Sequence, residues 1–442
     1  MSVKTLELEP KSTRREQWAW YLYDFGNSAY AAVVLLAVYS AYFQGEVVGG
    51  AEGSRLWGLA VGIAMLVVAV TSPVLGAIAD FSGAKKRFLF FFTMMSSLFT
   101  AMLFFVQKGD ILLGMLLFVL AEIGYRSAQV FYNALLPEIA TPAEMGRISG
   151  NGWAIGSAGG VLCLLLVLPL IVVIGGSFVV RLSLVITAVF FVVSALPIFL
   201  WLRERAQPQP LPDGESYLTV GFKRLWATFK TVRHFREFVK FLFAFLIFND
   251  GIIMALDFAA IIGAVLFGLG QEQLILFMIL VQVTSIAGAY VFGLLADRTT
   301  GKRSLIVSLL MMLGLVIGLF FNQSVIGFFI IGSLAGFALT GVQSVSRMMV
   351  GAFSPPGKSA EFYGIFAVGG RTSSFIGPTV YGLVAAEAAL WYEAQGMATA
   401  LAEQAGQRVA ILSIGVFLVV GFLLLLLVNE AKARAAARAA AA

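Results

Sequence analysis

Twelve apolar runs, each long enough to cross a bilayer, limit what this chain can fold into. They fall at 18–44, 57–79, 88–106, 112–135, 149–173, 178–202, 238–268, 273–296, 304–321, 325–351, 361–386 and 408–428. Lipid offers no hydrogen bonds, so a crossing segment must satisfy its backbone internally; roughly 20 residues of α-helix do so across the hydrocarbon. Composition argues against water as the solvent. Of the residues, 60% are hydrophobic and 12% charged, where a soluble domain carries roughly 45–50% and 25%. The expected fold is an all-α membrane protein of twelve transmembrane helices. The first run is too long for a signal-peptide core and is followed by no convincing cleavage site, so it reads as a retained helix.

The longest polar break, 203–237, divides the runs six and six. A repeated turn relates the two sets. Gly76-Ala77-Ile78-Ala79-Asp80 leads through Gly83 to Lys85-Lys86-Arg87, and Gly293-Leu294-Leu295-Ala296-Asp297 leads through Gly301 to Lys302-Arg303. The offset that pairs Gly76 with Gly293 also pairs Ala143-Glu144 with Ala360-Glu361, Gly152 with Gly369 and Gly160 with Gly377. A slightly larger offset pairs Asp24 with Asp250, as a longer first outside loop around 45–55 would require. A period of half the chain is too long for a solenoid and suits two pseudo-symmetric six-helix halves, a known transporter plan. The expected organisation is a cytoplasmic tail 1–17, a first half 18–202, a cytoplasmic linker 203–237, a second half 238–428 and a cytoplasmic tail 429–442.

The loops alternate in basic charge. One set holds Lys85, Lys86, Arg87, Arg147, Arg203, Arg205, Lys223, Arg224, Lys230, Arg298, Lys302, Arg303, Lys358, Lys432, Arg434 and Arg438; the other holds little beyond Arg55, Lys108, Arg181 and Arg408. By the positive-inside rule both termini and the linker are cytoplasmic, and the expected location is the cell membrane. Trp18, Trp20, Trp57 and Trp201 stand at run ends, where an interfacial belt would hold them. In the linker, Pro208, Pro210 and Pro212 form a stiff segment. Phe222, Leu225, Trp226, Phe229 and Val232 then recur at helical spacing with Lys223, Arg224, Lys230 and Arg233 among them. Such a basic amphipathic helix can lie on an anionic leaflet; a tether that merely joins the halves is the alternative. Glu387–Gln407 reads as an outside loop with some helix, and the Ala-rich tail as frayed.

The doubled turn resembles the signature loop of the major facilitator superfamily, over nearly the whole chain. Further stretches narrow the resemblance: Tyr23-Asp24-Phe25-Gly26-Asn27-Ser28-Ala29-Tyr30, Val130-Phe131-Tyr132-Asn133-Ala134-Leu135-Leu136-Pro137-Glu138-Ile139, Asn249-Asp250-Gly251, Gln343 with Ser346-Arg347, Ala360-Glu361-Phe362-Tyr363-Gly364 and Gly377-Pro378. Together they are similar to the vacuole-effluxer-like facilitators, whose yeast member is tied to autophagy and exports amino acids from the vacuole. The resemblance implies the facilitator fold and an amino-acid substrate. The second turn departs from it by one extra residue, Thr299 or Thr300, and Arg371 stands where a Lys is expected.

Transport needs polar groups within the apolar bundle, and charges there mark pathways because they are costly to insert. The fourth run carries Glu122, Arg126, Gln129 and Asn133 on one helical face. Glu122 and Arg126 either line a cavity or form a structural ion pair. The first run carries Asp24 and Asn27, the seventh Asn249, Asp250 and Asp257, the tenth Gln343 and Arg347, and the eleventh Arg371. Asp24 and Asp250 lie nearer their helix ends and can instead be interfacial; Asp257 is deeper and suits a proton carrier. Arg347 and Arg371 can hold a substrate carboxylate or pair with the acidic residues. In the resembled superfamily the turn residues latch the cytoplasmic side, so Gly76, Asp80, Gly83, Arg87, Gly293, Asp297, Gly301 and Arg303 are the expected gate.

Enzyme chemistry has little support. Gly357-Lys358-Ser359 ends like a phosphate loop, but Gly351 is one residue too far away. One Cys and one His give neither a disulfide nor a His-based triad. No cofactor, metal or nucleic-acid partner is expected. The reading is a monomeric secondary transporter that works by alternating access and exports amino acids or similar zwitterions, with protons as a candidate coupling ion. An amphipathic drug or lipid is the competing substrate, and a non-transporting sensor or scaffold the competing function.

Overall fold

A computed structural model describes residues 12–140, 145–205, 211, 214–355 and 359–439. Eleven helices among them are long and apolar enough to span a membrane. In order they are Arg14–Val48, Gly50–Ala79, Lys85–Phe105, Ile111–Ala134, Asn151–Val173, Gly176–Trp201, Arg236–Asp257, Gln271–Ala296, Gly301–Phe321, Val325–Phe353 and Thr399–Leu426. The remaining pass lies between the last two as Ser359–Ser373 and Ile376–Ala394, broken at Ser374–Phe375. Counting it eleventh gives the twelve expected spans. The first span is the central one: 72% of its apolar window is buried, against 33% for the third, ninth and twelfth. The peripheral spans turn Phe91, Leu98, Val193, Val307 and Val416 outward, as lipid-facing helices do.

The first span starts on a capping box in which Thr13 and Glu16 satisfy each other's backbone amides. It then loosens into π-helical turns at Ala31–Ala37 and Phe43–Val48. The seventh span breaks after Asp257 and resumes as Ala259–Phe267. The offset that pairs Asp24 with Asp250 also pairs Ala31 with Asp257, so the two halves interrupt corresponding helices at corresponding depths. Interrupted helices leave backbone groups free of their regular intrahelical partners.

The start of the first span meets the end of the sixth, and the start of the seventh meets the end of the twelfth, on the face that carries the linker, hereafter the linker face. There Arg205 reaches Glu16 at 2.9 Å, and the Asn429 amide donates to Glu237 at 2.6 Å. The two signature turns are built differently. Gly83 has φ +56°, which only glycine adopts without strain. Gly301 instead starts the ninth span and packs on Met349. Gly83→Ala is expected to lower stability by about 1–2 kcal/mol, read as a fall in the melting temperature of the purified protein.

Three expectations change, and the linker gains a docked face. Trp57 is fully buried and Trp20 nearly so; both fill the interior, because each indole N–H finds a buried carbonyl, on Asp257 and Tyr132. The linker forms the expected helix, Tyr217–Val232, capped by Ser216, and one face of it docks on protein. Its Val220 packs with Ala77 and Phe81, and Gly221 sits against the Pro73 carbonyl. The tail is a helix, Glu430–Ala439, with Ala433 and Ala437 buried; it packs on the seventh and tenth spans. Glu387–Gln407 is mostly helix, as the eleventh span runs to Ala394 and the twelfth starts at Thr399. Pro208, Pro210 and Pro212 lie outside the described residues.

Candidate functional site

The fourth span places a charged pair in the interior. Glu122 is fully buried, and Arg126 Nε donates to its Oε1 at 2.7 Å across one turn. The guanidinium lies 5.1 Å from the Tyr125 ring, which stacks on Tyr30 of the first span at 4.5 Å. Glu122 Oε2, the Tyr30 hydroxyl and Asp257 Oδ2 are buried with no hydrogen-bond partner among the described residues. Tyr30 adjoins Glu122, and Asp257 lies within electrostatic range of both Glu122 and Arg126. Buried polar atoms are almost always paired. Three polar groups from both halves thus converge in the interior, with the Tyr30 hydroxyl beside the Glu122 carboxylate.

Toward the linker face the first span continues the cluster. Asp24 packs over Gly156, where a Cβ would meet its Oδ2 at 2.4 Å, and Asn27 is within hydrogen-bonding reach of its carboxylate. Asp24 interacts electrostatically with Arg347 of the tenth span. Along the fourth span the polar face runs from buried Glu122 through half-buried Gln129 to exposed Asn133; Arg347 is exposed too. Gln343 is half-buried. Asn249 and Asp250 are buried, and Asp250 lies about 21 Å along its helix from Arg236. The structure thus forms two electrostatic sets, Glu122, Arg126 and Asp257 in one and Asp24, Asn27 and Arg347 in the other, with Tyr125 within range of both. The side chains of Asp80, Asp297 and Arg371 lie outside the described residues. Gly76 and Gly293 face open space.

The far face is closed by contacts between the halves. Trp57 Nε1 donates to the Asp257 carbonyl at 3.1 Å, Gln271 Nε2 to the Val38 carbonyl at 3.1 Å, and Gln407 Nε2 to Ser54 Oγ at 2.6 Å. Trp57 also packs with Tyr39, Phe43 and Phe118. A Cβ on Gly58 would lie 2.4 Å from the Pro378 carbonyl, so the second and eleventh spans touch backbone to backbone. Asp257 therefore serves two places: its side chain faces the Glu122–Arg126 pair, and its carbonyl holds the latch. Trp57→Phe keeps an aromatic ring but removes the indole N–H and part of the packed bicycle; the lost buried hydrogen bond alone is worth about 1 kcal/mol or roughly fivefold in an equilibrium. The expected result is a several-fold rise in far-side maleimide labelling of Ala385→Cys in a Cys163→Ser background.

On the linker face the same device occurs in each half. Lys86 Nζ donates to the Phe199 and Leu202 carbonyls while Glu204 accepts the Lys85 and Lys86 amides. Lys302 Nζ donates to the Leu426 and Val428 carbonyls while Glu430 accepts the Lys302 amide. A lysine caps one helix C-terminus and a glutamate the next N-terminus. Lys85 also pairs with Glu138 at 2.6 Å. Arg87 and Arg303 are exposed. Sequence reasoning missed Glu204 and Glu430, although the larger half-to-half offset aligns them. It missed Tyr30, Tyr125 and Trp57 because aromatic residues are common throughout the chain.

A family described as Vacuole effluxer Atg22 like matches residues 57–438. An MFS-type transporter of Bacillus subtilis, YxiO, is 28% identical over 386 residues, covering 85% of this chain and 89% of that one. Autophagy-related protein 22 of Yarrowia lipolytica is 25% identical over 408 residues, covering 72% of this chain and 69% of its own. Among solved structures, an inward-facing, unoccupied bacterial homologue of the human lysosomal transporter Spinster superposes with a TM-score of 0.73 at 16% identity, covering 97% and 99% of the two chains. The nucleoside transporter NupG gives 0.71 at 13%, covering 93% and 99%. The twelve helices thus form the major facilitator fold of a multi-pass membrane transporter. The chain belongs to the vacuole effluxer Atg22-like family.

Proposed function

We propose that this protein exports amino acids or similar small zwitterions from the cytoplasm by alternating access, coupled to protons. The observation that carries the reading is the buried Glu122–Arg126 pair facing Asp257 of the other half. A zwitterion has one charge for each member: a guanidinium takes its carboxylate in bidentate fashion, and a carboxylate takes its ammonium. The two electrostatic sets together hold three carboxylates, Asp24, Glu122 and Asp257, against two guanidiniums, Arg126 and Arg347. In a low-dielectric interior a surplus negative charge is costly, and a bound proton or ammonium balances it. The basic linker face is cytoplasmic by the positive-inside rule, so the closed far face is the outer one. The protein works as a monomer in the cell membrane, and the signature turns with their lysine–glutamate caps hold the ends of the moving helices.

Uptake into proteoliposomes from an amino-acid panel, with and without a pH gradient, tests this. Saturable transport that Arg347→Ala abolishes supports the site; transport unchanged in that variant and in Arg126→Ala refutes it. Asp257→Asn is expected to keep counterflow and lose gradient-driven accumulation. Accumulation that survives in Asp24→Asn, Asp250→Asn and Asp257→Asn alike rules out proton coupling through these carboxylates.

A further inference from the structure

The linker helix has a second face that the protein does not cover. Val220, Gly221 and Val232 are buried toward the bundle, whereas Leu218, Phe222, Trp226 and Phe229 are exposed. Their spacing of four, four and three puts these four on one side of a helix. Trp226 is the most exposed at 68%, and its ring stacks on Phe229 at 5.7 Å. Lys223 and Lys230 are exposed beside this stripe and line a shallow groove with Phe222 and Trp226; Lys223 also pairs with Glu215. Arg233 continues the charge past the helix end. A helix with aromatic residues at the level where the second span ends, flanked by lysines, matches an acyl-chain boundary topped by anionic headgroups.

The helix also touches both halves. It packs on the second span through Pro73, Ala77 and Phe81, and on the Ser359–Ser373 segment of the eleventh. These are the two spans whose far ends meet at Gly58 and Pro378. When the far ends part, the linker-face ends must approach, and the helix lying between them must shift its seat.

We propose that the linker helix is an anionic-lipid-bound clamp. Its Lys223/Lys230 and Phe222/Trp226 face binds anionic headgroups of the cytoplasmic leaflet, and this hold regulates the rocking of the second and eleventh spans. The binding part rests on the membrane fold and on the side of the linker, not on the substrate; the regulatory part rests on alternating access.

Two readouts separate the parts. The Trp226 signal is taken as the difference between the wild type and Trp226→Phe in bilayers of phosphatidylcholine and phosphatidylglycerol in equal parts. Brominated phosphatidylglycerol is expected to quench it several-fold more than brominated phosphatidylcholine, and Lys223→Glu/Lys230→Glu or high salt to erase the difference. Equal quenching by the two lipids overturns the anionic site. No quenching by either overturns a lipid occupant altogether and leaves the face to a second copy or another protein. Wild-type transport is then expected to change several-fold between pure phosphatidylcholine and the mixed bilayer, and the double variant to be indifferent. Lipid preference without any change in rate overturns the clamp while leaving the binding site standing. Indifference of the wild type in counterflow and net transport alike has the same meaning, and a wild type inactive in every lipid marks instead a failure of the assumed substrate.

Discussion

Arg126→Ala is expected to abolish saturable transport and to destabilise the protein. Its guanidinium is the described partner of Glu122 at 2.7 Å, and Glu122 is fully buried. Removing one member of a buried ion pair strands the other charge and costs about 3–5 kcal/mol. That is a large share of a typical stability margin of about 5–15 kcal/mol, so loss of transport alone would not distinguish a binding role from a structural one. Two further variants do. Glu122→Gln/Arg126→Met removes both charges and is expected to recover most of the lost melting temperature, because a neutral pair has no stranded charge. It is still expected to transport nothing, because the pair's own contacts with a zwitterion's termini are gone. Arg126→Lys keeps the charge but loses the planar fork, and is expected to raise KM with little change in stability. Restored transport in the double variant would reduce the pair to a helix lock.

Gly58→Leu is the second large effect. A Cβ there already meets the Pro378 carbonyl at 2.4 Å, and backbone cannot step aside as a flexible side chain can. Overpacking of this kind costs about 1–3 kcal/mol, or roughly 5- to 150-fold in the balance between far-closed and far-open forms. This exceeds the single hydrogen bond lost in Trp57→Phe. The expected result is slow or absent turnover with strong far-side labelling of Ala385→Cys. Gly314→Leu is the control, since Gly314 has open space around it and leucine is a better helix former. It should behave as wild type, and equal damage in both variants would remove the argument from close packing.

The spans and their two-fold plan were legible from the sequence because both follow from one-dimensional patterns. Apolar length fixes a crossing helix, and a repeated turn marks the second half. The polar face of the fourth span was legible for the same reason: Glu122, Arg126, Gln129 and Asn133 are related by helical periodicity alone. The linker helix was legible as amphipathic, but not which side faces protein. Period identifies a face, and only packing against Pro73 and Phe81 decides whether Val220 or Trp226 turns inward.

By itself the sequence determined an all-α, twelve-span bundle of two halves, with acidic and basic residues set inside apolar helices, where charges are costly. Tertiary structure decided which of those residues meet. It put Asp257 within range of Glu122 and Arg126, Asp24 opposite Arg347, and Trp57 on the Asp257 carbonyl. None of these pairs is close in sequence. Their meeting depends on how far the first and seventh helices depart from regular geometry, and on where glycines let neighbouring backbones touch. Local patterns carry the cost of solvent exposure, residue by residue. Contacts between distant helices depend on the joint packing of all of them, which no single stretch of the chain encodes.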